Sequence, residues 1–104
     1  MNNILVLGGG RVGSAIAYDL ATIHKVTVVD IDQYTLKRIN NKNNNIQIQY
    51  QDFSNTKRLR ELVRKYDLIV SAVPGFMGYK TLQAILEAKR NVVDIAFCPE
   101  NALE

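Results

Sequence analysis

The segment LGGGRVG, residues 7–13, follows a short apolar run and opens a stretch with helical periodicity. Gly8, Gly10 and Gly13 fit the spacing G-x-G-x-x-G, which between a strand and a helix gives each glycine its own mechanical task. The first permits a tight turn, the second lets a pyrophosphate approach the backbone, and the third lets the helix pack closely on the strand. Gly9 has no required role in this pattern. We therefore predict a dinucleotide cradle at the start of a helix, with a plain turn as the alternative.

Strand-like and helix-like segments alternate along the chain. Apolar runs and β-branched residues predict strands at residues 4–7, 25–30, 46–50, 67–73 and 91–97. Helical periodicity predicts helices at residues 11–23, 33–39, 54–65 and 78–89. The inner face of the first helix is expected to carry Val12, Ile16, Leu20 and Ile23, and that of the third Leu59, Leu62, Val63 and Tyr66. The asparagine-rich segment 40–45 predicts a surface turn.

This alternation is typical of α/β folds. We expect a Rossmann-type doubly wound parallel sheet of about five strands, with helices on both faces. The length of 104 residues favours one domain, a dinucleotide-binding domain over residues 1–104. The chain stops soon after the fifth predicted strand, which suggests a fragment of a longer protein.

Asp30 ends the second predicted strand. A carboxylate at this position accepts hydrogen bonds from the adenosine ribose hydroxyls and repels a 2′-phosphate. We therefore expect NAD to be favoured over NADP, and Asp32 adds to the repulsion. Lys37 and Arg38 can reach towards a 2′-phosphate, which keeps NADP as an alternative, although both also fit a solvated helix surface.

Ligands of doubly wound sheets bind at the carboxyl ends of the strands, beside the topological switch point. Asp52 follows the third predicted strand, where it either accepts from the adenine amine beside Phe53 or caps a turn. The end of the fourth strand is expected to line the second ribose, or is ordinary strand termination. The predicted cofactor-binding residues are Gly8, Gly10, Arg11, Val12, Gly13, Asp30, Ile31, Asp32, Asp52, Phe53, Ala72, Val73, Pro74 and Gly75.

Side chains suited to catalysis are scarce. His24 is the single histidine and falls at a helix end away from the carboxyl edge, so it is expected at the surface or in a helix cap. Cys98 has no histidine partner, and no cluster has the spacing of a metal site. Tyr79 and Asp94 fall near the carboxyl edge and are the weak catalytic candidates, with a structural role as the alternative for each.

The formal net charge is +3, and it is unevenly distributed. Residues 37–65 carry eight basic and two acidic side chains, a local +6, which leaves −3 for the rest. Such a segment attracts nucleic acid or forms solvated helix faces. No aromatic residue is interleaved with the basic side chains of residues 37–42 or 57–65, which favours the second interpretation. A single cysteine, no long apolar run and no signal-like start lead us to expect a cytoplasmic protein without membrane contact.

The stretches ILVLGGGRVGSAIAYDL, VVDID and DLIVSAVPGFMGYKTLQAILEAKRNVVDIAFCPENALE together resemble the N-terminal NAD(P)-binding domain of the saccharopine dehydrogenase and lysine dehydrogenase family. AVPGFMGYKTLQAI followed by NVVDIAF is the more specific part and is similar to the lysine-dehydrogenase-like branch. The resemblance implies an enzyme that uses NAD(P) to oxidise a C–N bond of an amino acid by hydride transfer, or to reduce the corresponding imine. It also implies a C-terminal domain, missing here, with the substrate site and the homodimer contacts, so residues 1–104 alone are expected to be inactive.

A second interpretation is a nucleotide-sensing regulatory domain of a potassium-transport system. The stretch GGGRVGSAIAYDLATIHKVTVVDID is equally similar to that family. The regulators usually carry GDA after the third strand, where this chain has YQDF. VPGFMGYKT also suits a loop that covers a nicotinamide and a substrate. These two features favour the enzyme.

Overall fold

The computed structural model describes residues 2–52, 55–72 and 92–94, and strands and helices alternate through them. The elements are β1 (Asn3–Leu7), α1 (Arg11–Leu20), β2 (Lys25–Asp30), α2 (Gln33–Lys42), β3 (Gln47–Tyr50), α3 (Thr56–Val63), β4 (Leu68–Ser71) and β5 (Val92–Asp94). The helix predicted at residues 78–89 lies outside the described residues.

The five strands form one parallel sheet in the order β3-β2-β1-β4-β5. From the central β1 the chain first moves outward through β2 to β3, and then crosses back to β4 on the other side of β1. The order of the strands therefore reverses between β1 and β4, which makes the carboxyl ends of these two strands the topological switch point. The predicted Rossmann-type doubly wound sheet of about five strands is confirmed, with β3 at one edge.

Two apolar clusters cover the two faces of the sheet. Ile4 and Val6 of β1 belong to a cluster with residues of α1 and α2, whereas Leu5 and Leu7 belong to a cluster with residues of α3. Because successive residues of a strand point to opposite faces, α1 and α2 lie on one face and α3 on the other. The four apolar residues of β1 are at most 1% exposed. A strand buried on both faces accounts for the continuous apolar run in the sequence.

The helix α1 ends at Leu20, three residues before the predicted end. Ile23 is 68% exposed and Val12 is 59% exposed, so the predicted inner face is correct only for its two central members. The Thr22 hydroxyl donates to the Asp19 carbonyl at 2.8 Å, and such local bonds compete with helix continuation. The chain also has only four residues in which to turn before β2 begins.

The helix α2 runs to Lys42, through the first half of the segment predicted as a turn. Asn40 is accommodated because its side-chain amide donates to the Ile46 carbonyl at 3.1 Å, which ties the helix end to the start of β3. The Lys42 ammonium lies over the Tyr18 ring, 4.7 Å from its centroid, and links α2 to α1. Tertiary contacts therefore override the low helix propensity of asparagine.

The amino ends of the strands hold His24, as the sequence predicts. The His24 Nδ1 accepts the Asn2 backbone N–H at 3.2 Å, and the His24 backbone N–H donates to the Leu20 carbonyl at 2.9 Å. Nearby, the Asp67 carboxylate accepts the Asn3 N–H at 2.8 Å. These bonds fix the amino end of the central strand β1, at the opposite end from the glycine loop.

The basic residues of segment 37–65 divide between the two faces of the sheet. Lys37, Arg38 and Lys42 belong to α2, and the remaining ones belong to α3 or follow it. The sheet therefore separates them, and they do not form one continuous stripe. In the part of the chain that the structure describes, no helix has the length and apolar character needed to cross a membrane.

Two isoleucines, one buried and one exposed, test the assignment of α2 to the core. Ile39 is fully buried in the cluster under α2, and Ile23 is 68% exposed. Ile39→Ala is expected to lower the free energy of unfolding by about 2–5 kcal/mol, since a buried side chain is lost and a cavity remains. Ile23→Ala is expected to change it by less than about 0.5 kcal/mol. Urea denaturation measures both, and equal effects would contradict the assignment of α2 to the core.

Candidate dinucleotide-binding site

Gly8 makes the turn out of β1. Its φ is 96°, a left-handed conformation that side chains disfavour. Its N–H donates to the Val29 carbonyl at 2.8 Å, so the turn starts while it is still bonded to β2. The glycine requirement at this position is therefore conformational.

Gly13 lies in the first turns of α1 and faces the turn at Gly8. A Cβ on Gly13 would overlap the Gly8 carbonyl oxygen and would lie 3.3 Å from the Cβ of Ala72, at the end of β4. Gly13 is buried. The helix therefore sits directly on the switch point between β1 and β4, which is the close packing that the glycine spacing predicts.

Gly10 is the N-cap of α1, with φ −68° and ψ −164° and no side-chain cap. Among the described residues, no atom lies within 4 Å of a Cβ added to it, so these residues leave the space beside Gly10 open. Arg11 and Val12 are exposed on the first turn. The first N–H groups of a helix have no acceptor within it, so this end of α1 presents donors and a partial positive charge to an anion.

Gly9 has a role that the spacing did not predict. A Cβ there would lie 2.9 Å from Ile39 Cδ1, 3.0 Å from Thr35 Cγ2 and 3.2 Å from Val28 Cγ1. The loop is thus pressed against the first turns of α2 as well as against β2. The one feature of the sequence that could have indicated this packing is the uninterrupted GGG at residues 8–10, in which the middle residue also lacks a side chain.

Asp30 is bonded to the glycine loop. Its Oδ2 accepts the Gly9 N–H at 2.6 Å, and its Oδ1 accepts the Asp32 N–H at 2.9 Å. The side chain is half-buried. A carboxylate has about four lone-pair sites, so both oxygens keep capacity for ribose hydroxyls. The predicted contact with the ribose stays a prediction.

Asp32 caps the start of α2. One carboxylate oxygen accepts the Tyr34 N–H at 3.0 Å, and the other accepts the Thr35 hydroxyl at 3.1 Å. Ile31, between the two acids, is 45% exposed. Two carboxylates therefore lie at the end of β2, each hydrogen-bonded to backbone groups that fix its position.

The remaining candidates stand at the carboxyl ends of β3, β4 and β5. Asp52 is exposed, and its carbonyl accepts the Asn55 N–H at 3.2 Å in a turn. The cap of α3 is Asn55, whose side chain accepts the Arg58 N–H at 3.2 Å. Ala72 donates its N–H to the Leu7 carbonyl at 2.8 Å, which joins the end of β4 to β1.

Asp94 ends β5, opposite Ser71 in the register of β4. The other candidates lie outside the described residues: Phe53, Val73, Pro74, Gly75, Tyr79 and Cys98. Within the described ranges, no group of three His, Cys, Asp or Glu side chains is placed to hold a metal ion.

The glycine loop, the open helix start and the acid at the end of β2 together define a dinucleotide-binding domain of the Rossmann type. The chain matches the model of the saccharopine dehydrogenase NADP binding domain over residues 4–104 and belongs to that family. A search of curated proteins found no match.

Solved structures share the fold. Apo saccharopine dehydrogenase (L-Glu forming) from Saccharomyces cerevisiae is 19% identical with a TM-score of 0.80, and the match covers 93% of this chain and 23% of the yeast chain. A short-chain dehydrogenase/reductase from Veillonella parvula, solved with NADP, is 16% identical with a TM-score of 0.66 over 90% of this chain and 47% of that one. PbgP3 protein from Burkholderia pseudomallei is 15% identical with a TM-score of 0.69, over 88% and 38%. This chain therefore spans about a quarter of the yeast enzyme.

Adjacent glycines provide a matched test of the loop. Gly9→Ala places a Cβ within 3.2 Å of three side chains, whereas the Cβ of Gly10→Ala meets none of the described part of the chain within 4 Å. The first variant is expected to lose about 1–3 kcal/mol of stability through overpacking. The second is expected to lose less than about 1 kcal/mol, the cost of alanine at an N-cap. Thermal or urea denaturation compares them, and a loop that tolerates both equally would contradict the packing of Gly9 on α2.

Proposed function

We propose that this chain is the cofactor-binding part of an oxidoreductase that acts on the C–N bond of an amino acid, similar to saccharopine or lysine dehydrogenase. The observation that carries the cofactor-binding part of the proposal is the open start of α1 at Gly10, which lies at the switch point and follows Gly9, the residue bonded to Asp30. Membership of the saccharopine dehydrogenase NADP binding domain family supports it. The same family gives no support to the potassium-transport alternative.

The cofactor supplies the hydride chemistry when it is bound, and this chain holds and orients it. The N–H groups of Arg11 and Val12 bind the pyrophosphate, helped by the partial positive charge at the start of α1. Gly10 leaves room for that approach, since its open side carries no Cβ. Asp30 would accept hydrogen bonds from the adenosine ribose, and Ala72, at the end of β4 and bonded to Leu7 of β1, would line the nicotinamide half.

We propose NAD as the preferred cofactor. A 2′-phosphate carries close to two negative charges, and it would lie beside two carboxylates at the end of β2. Both acids are held in place by backbone N–H groups, at 2.6–3.0 Å, so neither turns away easily. The family description names NADP, and one similar structure was solved with NADP, so NADP is the competing outcome. In that case Lys37 and Arg38, which are exposed on α2, would pair with the 2′-phosphate.

The substrate site and the homodimer contacts are proposed to lie in a C-terminal domain beyond residues 1–104. Tyr79 and Asp94 are the candidates by which this chain would reach the substrate. We place the protein in the cytoplasm and propose no nucleic-acid partner. The proposal of no nucleic-acid partner is supported by the separation of the basic residues onto two faces of the sheet.

Ligand-induced stabilisation tests the cofactor. Saturating NAD is expected to raise the melting temperature, because a ligand at one hundred times its Kd adds about 2.7 kcal/mol to the stability. NADP at the same concentration is expected to raise it less, and ATP less still. Stabilisation by ATP alone would contradict the dehydrogenase, whereas tighter binding of NADP would contradict only the argument from Asp30.

The effect of the Asp32 charge on cofactor preference can be tested while the N-cap of α2 is kept. Asparagine is an equally good N-cap, so Asp32→Asn is expected to keep the stability of α2. The substitution removes one unit charge roughly 6 Å from a 2′-phosphate that carries about two, which corresponds to about 1.4 kcal/mol in water, so the Kd ratio of NADP to NAD is expected to fall about tenfold. Isothermal titration calorimetry gives both constants. Asp19→Asn, the same change on the exposed end of α1, is the control, and a ratio that moves equally in both variants would contradict a local effect.

A further inference from the structure

We propose that Asp30 is a positioning residue for the pyrophosphate, through the glycine loop, in addition to its contact with the ribose. The proposal rests on the proposed dinucleotide site and adds a second task to the same carboxylate. The geometry that points to it is the bond from the Gly9 N–H to Asp30 Oδ2, at 2.6 Å.

Three consecutive glycines form a segment that loses much conformational freedom on folding. Two bonds from the end of β2 hold this one: the Gly8 N–H donates to the Val29 carbonyl at 2.8 Å, and the Gly9 N–H donates to Asp30. The second is charge-assisted, which makes it the stronger kind of hydrogen bond. Asp30 therefore supplies a restraint that a backbone carbonyl does not match.

The carboxylate is itself fixed from its other side. Asp30 Oδ1 accepts the Asp32 N–H, and Asp32 is held as the cap of α2 by Tyr34 and Thr35. A chain of contacts thus runs from the start of α2 through Asp32 and Asp30 to Gly9. The half-buried carboxylate has a defined direction before any ligand arrives.

Gly9 directly precedes Gly10, the N-cap at which the phosphates are expected to bind. If the bond to Asp30 is lost, the Gly8 bond and the packing of Gly9 on α2 remain, but the Gly9 peptide has one restraint fewer. The ligand must then supply that part of the ordering when it binds, and affinity falls by its cost. Loss of the proposed contact between Asp30 and the ribose would also weaken binding of the dinucleotide. Separating the two tasks requires a diphosphate without ribose hydroxyls.

Isothermal titration calorimetry separates the ribose contact from the positioning of the loop. It compares ADP with 2′,3′-dideoxy-ADP, which lacks the ribose hydroxyls, on this chain and on its variants Asp30→Asn and Asp30→Ala. Both variants remove the same charge, but only asparagine keeps an oxygen that can accept the Gly9 N–H. With dideoxy-ADP, the alanine variant is expected to bind about fivefold more weakly than the asparagine variant, the value of one neutral hydrogen bond. Asp19→Asn and Asp19→Ala, on α1, are expected to bind it equally.

Equal binding of dideoxy-ADP by Asp30→Asn and Asp30→Ala would overturn the positioning role and leave the proposed function intact. A wild-type chain that binds neither ADP nor dideoxy-ADP would overturn both. Amide hydrogen exchange in the wild type covers the case in which Asp30→Ala fails to fold. The Gly9 amide is expected to exchange at least about tenfold more slowly than in an unstructured chain, and unprotected exchange there would also overturn the role.

Discussion

The contact between Gly13 of α1 and the carbonyl of Gly8 is the constraint on which the rest of this domain depends. It leaves no room for a Cβ, and it brings the start of α1 against the carboxyl end of the central strand. From this position the open N–H groups of the helix point into the switch point between β1 and β4. If the helix lay a few ångströms further away, the same N–H donors would no longer line the crevice. The glycine spacing is therefore a packing requirement first, and the anion site is its consequence.

The sequence predicted the sheet and the glycine loop well because both depend on local chemistry. The apolar run of β1, the β-branched residues of β2 and the spacing of Gly8, Gly10 and Gly13 can each be recognised within a few residues. The ends of α1 and α2 were predicted less well. They depend on the turn bonded at Thr22 and on contacts of Asn40 and Lys42 with other elements, which no local window contains.

The same limit applies to the site. The conformational task of Gly8 and the packing task of Gly13 follow from their spacing. The packing of Gly9 against Ile39 follows only from where α2 lies, and the bond from Gly9 to Asp30 joins residues 21 positions apart. Asp30 was predicted as a ligand contact by its place at the end of a strand. That it also holds the loop becomes visible only when β1 and β2 are side by side.

The strand that comes first along the chain also lies in the middle of the sheet, and this has a consequence for how the domain is assembled. The unit β1–α1–β2 can form from contacts that are close in sequence, whereas the other edge of β1 stays unpaired until β4 arrives. The bond from the Asn3 N–H to Asp67 closes a separation of 64 residues. Closing so long a loop costs entropy before the contacts compensate, so we expect β1 to pair with β4 after it pairs with β2. On that order, the glycine loop forms beside an open strand edge, and the crevice for its ligand is completed when β4 joins the sheet.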